Sequence, residues 1–197
     1  GAGTATSTGS IRLKTVDAGV AGVSGQMKFT TGASTSGSSG ALTMATGSAT
    51  TGRGGSMAFN VGSSNQGIGG DISMSAGTTS ATTGGLISMS TGAGSTKSSG
   101  AVIVKTSDAG TAGVSGHMSF TTGTTSSDAS GSIVLQSGNS ADGRSGDFKV
   151  SLGVSSTTTG GDILMNGGGS SIHTGGAVLI DSGVGTAKSS GAVVVRS

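Results

Sequence analysis

The chain has 197 residues, of which 42 are Gly and four are Phe, the only aromatics, with no Pro and no Cys. Ten Lys and Arg face eight Asp, a net charge of +2 spread over the whole length. This composition excludes a disulfide framework, thiolate metal sites, a dense basic patch for nucleic acid, and an ordinary core of leucines and aromatics. No apolar run approaches membrane-spanning length, so membrane insertion is not expected. Residues 1–10 lack the basic start and apolar centre of a secretory signal, so a secreted protein would carry that signal elsewhere.

The text is repetitive. "GAVIVKT" from Gly100 returns as "GAVVVRS" from Gly191. Anchor glycines open each repeat at Gly9, Gly25, Gly40, Gly55, Gly70, Gly85 and Gly100, and again at Gly116, Gly131, Gly146, Gly161, Gly176 and Gly191. The steps are 15 residues except Gly9 to Gly25 and Gly100 to Gly116, which are 16; these two lie 91 residues apart. A second, longer repeat of six units therefore spans residues 9–99 and 100–190, with partial units at both ends. "KTVDAGVAGVSGQMKFTTG" from Lys14 aligns with "KTSDAGTAGVSGHMSFTTG" from Lys105.

Each unit reads Gly-x-φ-x-φ-x-(Thr/Ser)-Gly, where φ is apolar, followed by about seven small polar residues. The first φ column begins Ile11, Met27, Leu42 and the second Leu13, Phe29, Met44; both stay apolar in all thirteen units. Alternation with a period of two predicts strands rather than helices or a disordered linker. The expected fold is an all-β solenoid (β-helix) of about thirteen 15–16-residue coils, a single continuous body over 1–197. In that fold the φ columns point inward as ladders. Glycines after each strand, such as Gly32, Gly47 and Gly62, are expected at sharp corners, through positive φ or close backbone approach. The long units, with Val16-Asp17-Ala18-Gly19 and Ser107-Asp108-Ala109-Gly110 at the corner, are read as small bulges.

Catalytic and ligand chemistry is sparse. His117 and His173 fall in different columns without a partner at metal-ligand spacing. All eight acidic residues are Asp, and Asp71, Asp147 and Asp162 share the position after the anchor without forming a carboxylate pair. Calcium β-rolls need a nine-residue period with an Asp in nearly every turn, which is absent. Serine lacks a base or a nucleophile elbow, no helix follows the glycine-rich strings to bind phosphate, and no Asn-x-Ser/Thr acceptor exists. No enzyme activity and no cofactor are expected; O-linked glycans are not readable from the sequence.

The clearest surface signal is the position between the two φ residues. It runs Arg12, Lys28, Thr43, Ala58, Ser73 and Ser88, and then Ile103, Ser119, Val134, Lys149, Leu164, Leu179 and Val194, polar in the first half and substantially apolar in the second. This apolar stripe is the candidate lateral interface. A Thr column (Thr15, Thr31, Thr46, Thr91, Thr106, Thr122) raises ice binding as the alternative, although it shares parity with the φ positions and lapses at Val61, Ala76, Leu152 and Gly167.

The recurring "SGxIxMxTG" text resembles Gly/Ser/Thr-rich β-solenoid repeats of extracellular fibres and cell-surface stalks. That resemblance implies a structural element that is extracellular or on the cell surface. The expected partner is the chain itself, stacked head to tail or packed laterally. Gly1 and Ser197 stand in phase, so the chain is expected to be an excerpt of a longer array or a protomer whose uncapped ends recruit another copy.

Overall fold

The structure, a computed structural model, describes residues 8–196. Among them there is no helix and no β-strand. The all-β solenoid expected from the alternation is therefore corrected: the described chain is coil with a regularly recurring bend. Stacked coils need N–H···O=C bonds between residues one repeat apart. The five backbone hydrogen bonds among the described residues span three or eight positions instead. They run from Gly22 N to Gly19 O (3.3 Å), Gly85 to Gly77 (2.9 Å), Gly100 to Gly92 (3.0 Å), Gly176 to Gly168 (2.8 Å) and Gly191 to Gly183 (2.8 Å). Among the described residues no backbone bond joins residues a full repeat apart; four of the five reach only from a corner glycine to the next anchor. Gly1 and Ser197, which set the in-phase count of coils, lie outside the described residues.

The chain divides into two units, Gly1–Gly100 and Ala101–Ser197. In the first, bends fall at 35–37, 50–52, 65–67, 80–82 and 95–97; in the second, at 126–128, 141–143, 156–158, 171–173 and 186–188. The 15-residue period thus survives as a loop rather than as a strand pairing. Each bend begins three residues after a corner glycine and ends three before the next anchor.

What closes the loop is the residue before the corner meeting the anchor glycine. A Cβ built on Gly55 would stand 3.2 Å from Thr46 Cβ, and the Thr46 hydroxyl donates to the Gly55 carbonyl at 3.2 Å. At Gly70 a Cβ would come within 2.6 Å of Val61 Cγ1, so only glycine fits there without displacing the valine. Thr15, Ala76 and Ser182, all in this before-corner column, are half-buried together with Gly185; every other described residue is exposed.

Two further expectations are corrected. No described residue has a positive φ, and a Cβ on Gly32, Gly47 or Gly62 would meet open space, so the corner glycines carry no steric role. The extra residue of the long units is not a bulge, because there is no ladder to interrupt. It forms a turn at 20–21, closed by the Gly22–Gly19 bond beside an exposed Lys14–Asp17 ion pair at 3.2 Å, and a matching turn at 111–112.

The physical reason lies in the side chains. Two apolar residues per repeat face a remainder of Gly, Ser, Thr and Ala, and each φ side chain is exposed. The chain's accessible surface is 19577 Å². A compact protein of this mass would expose about 8,100 Å² and a fully unfolded one about 26,000 Å². Too little apolar surface is removed from water to order strands against glycine's backbone entropy.

Far-UV circular dichroism should accordingly show neither helix nor sheet. Amide exchange should be slowed at Gly85, Gly100, Gly176 and Gly191 relative to their neighbours. Strong protection repeating through every φ segment would instead reveal paired strands and overturn this fold.

Candidate functional site

The five stripe residues all fall in the second unit, and each is exposed, between 61% for Val194 and 82% for Leu164. No hydrogen-bonded ladder holds Ile103, Val134, Leu164, Leu179 and Val194 in a row. They stand as repeated single side chains, each flanked in sequence by exposed φ residues such as Val102 and Val104, Ile163 and Met165, or Val178 and Ile180. Five of the seven repeats that open at Gly100 to Gly191 present three consecutive exposed apolar residues to solvent, the other two being interrupted by Ser119 and Lys149.

The loops carry a second ordered feature, built on hydroxyls. Two residues past the corner, a Ser or Thr oxygen accepts the backbone N–H three positions on. Ser34 takes Gly37 N (3.0 Å), Ser64 takes Gly67 N (2.9 Å) and Thr79 takes Thr82 N (3.3 Å) in the first unit. In the second, Thr125 takes Asp128 N (3.3 Å), Ser140 takes Gly143 N (3.0 Å), Ser155 takes Thr158 N (3.1 Å) and Ser170 takes His173 N (2.9 Å). This is the bond by which a helix N-cap satisfies an early amide, used here to hold a single bend that is not continued. Sequence reasoning passes over it because hydroxyl residues fill the whole polar stretch. Only their position relative to the corner distinguishes the ones that bond.

Where that position is glycine, the loop is tighter. A Cβ on Gly94 would lie 2.4 Å from the Lys97 carbonyl oxygen, and one on Gly185 would lie 2.5 Å from that of Ser189. At Gly185 the bonding sense reverses, its N–H donating to Ser190 Oγ at 3.2 Å. These two loops are 91 residues apart and mark the longer repeat.

No group of three or more His, Cys, Asp or Glu side chains that could hold a metal ion, His117 and His173 included, occurs among the described residues. Asp147 pairs with Arg144 three positions earlier, an exposed ion pair that contributes at most about 1 kcal/mol. The described residues enclose no cavity. What this geometry offers chemically is surface: exposed apolar pairs and triplets separated by bends, seven of them capped by a hydroxyl. No protein-family model, curated protein or solved structure matches the chain.

Ser170→Ala should free the His173 amide and speed its exchange, with a local cost of roughly 0.5–1.5 kcal/mol, while Ser170→Thr should retain the protection. Gly70→Ala should displace Val61 and perturb the shifts of the loop between them. Gly62→Ala should leave that loop unchanged, and the contrast is measurable by NMR.

Proposed function

We propose that this chain is a structural, non-catalytic component of an extracellular or cell-surface filament, formed by self-association of copies through its repeated apolar positions. The observation that carries this reading is the exposure of both φ columns along the chain, joined in the second unit by the apolar stripe. Apolar side chains left in water at every repeat favour contact with other apolar surface, which removes them from solvent. Little opposes such contact electrostatically, since charged residues are 9% of the chain and the net charge is +2.

Repetition favours a copy of the same chain as the partner. Once one apolar group engages, the next is already tethered a fixed 15 or 16 residues away on both molecules. Successive contacts then form at high effective concentration, and weak individual contacts sum to a stable association. A chain with a different spacing would lose register within a few repeats. Ice binding through the Thr column is the less favoured reading, because that column lapses at Val61, Ala76, Leu152 and Gly167 and has no flanking Thr ladder beside it.

Sedimentation velocity should show the average mass rising from 18.2 kDa as concentration increases, and electron microscopy should show fibres. The double substitution Leu164→Lys and Leu179→Lys should raise the concentration for half-maximal association about tenfold, a loss of about 1.4 kcal/mol. A chain that stays at monomer mass at every concentration would refute the reading.

A further inference from the structure

All seven methionines occupy φ positions: Met27, Met57 and Met118 in the first column, Met44, Met74, Met89 and Met165 in the second. With no Cys, these thioethers are the only sulfur in the chain. Each is between 46% and 73% exposed, so an oxidant reaches every one from solvent. Methionine usually serves in a core as an adaptable gap-filler. No described residue is buried, so that role does not account for its placement. The distribution is uneven as well: five lie in the unit Gly1–Gly100 and two in Ala101–Ser197. In the first unit the position between the φ residues is mostly polar, so its apolar surface depends heavily on thioethers; in the second, Ile, Val and Leu dominate.

We infer that these methionines are oxidation sites through which a peroxide-class oxidant weakens self-association, acting chiefly on the first unit. The inference rests on the self-association reading above. In the reaction a sulfur lone pair attacks a peroxide oxygen and the O–O bond breaks. The hydroxide that leaves takes the proton of the transferred OH, giving a sulfoxide and water. Sulfur loses two electrons and the peroxide gains them. The product is polar where the thioether was apolar, and a thiol-dependent methionine sulfoxide reductase returns it to the starting state. The second unit retains its Ile, Val and Leu side chains, which peroxide leaves unchanged, so association through that unit persists.

The test uses the full chain treated with hydrogen peroxide until mass spectrometry shows about 16 Da added per methionine. Sedimentation then compares it with the untreated chain and with a variant in which all seven Met are replaced by Leu. Oxidation should raise the concentration for half-maximal association at least about tenfold. Reductase with dithiothreitol should reverse the shift, and the Leu variant should associate normally and ignore peroxide. In the Leu164→Lys, Leu179→Lys background oxidation should abolish association. If the oxidised chain associates as before, or the Leu variant disperses equally, the inference fails while self-association stands. If the untreated chain never associates, both fall together.

Discussion

The structure depends on a closure within a single loop: the residue before each corner meets the anchor glycine nine or ten positions later. A glycine at the anchor lets the two backbones approach, and four of these loops add a Gly-to-Gly hydrogen bond across eight residues. The entropy of joining chain ends grows only slowly with length. Closing over 15 residues instead of nine costs about 0.5 kcal/mol more, too little to decide between local loops and stacked coils. What decides is when the return arrives. A local loop gains its hydrogen bond and its packing by itself, whereas a coil gains its ladder only when a neighbouring coil is already ordered.

Much of this organisation is legible in the sequence, because period and register are statements about the chain's own order. The anchor glycines, the 15- and 16-residue steps and the polar stretch between them all reappear as loop, anchor and bend. The strand reading failed at a different step. Alternation such as Met27-Lys28-Phe29 records which side chains would share a face if the segment were extended. It carries no information on whether another segment lies alongside. With glycine, serine and threonine opposite, no apolar surface is available to complete a second wall. The roles of the glycines were exchanged for a related reason: a corner at Gly62 looks demanding in a solenoid but is open in a loop, while Gly70 is crowded by Val61. The capping column of Ser34, Ser64 and Ser170 was hidden by abundance.

The candidate surface is legible in a more limited sense. Ile103, Val134, Leu164, Leu179 and Val194 are apolar at one repeat position whatever the fold, and the structure leaves them exposed. Their alignment into a continuous stripe required the ladder that is missing. Under the proposed self-association their effect is distributed: many small apolar groups at regular intervals, each too weak alone, would act together only against a surface with the same interval.

The longer repeat separates what the chain holds constant from what it varies. Across 91 residues, Gly94 returns as Gly185, and the turn at 20–21 returns at 111–112. Both are backbone devices that set where the chain bends. The side chains between them change, with Lys28 giving way to Ser119, Met44 to Leu135, and Ser88 to Leu179. Bend positions determine the interval between apolar groups, so they must recur if copies are to remain in register. The groups themselves need only be apolar, and their identity is free to tune strength and chemical sensitivity. One spacing thus accommodates a methionine-rich half beside a half rich in branched aliphatic residues, and in the proposed assembly the two would differ in what weakens them while sharing what aligns them.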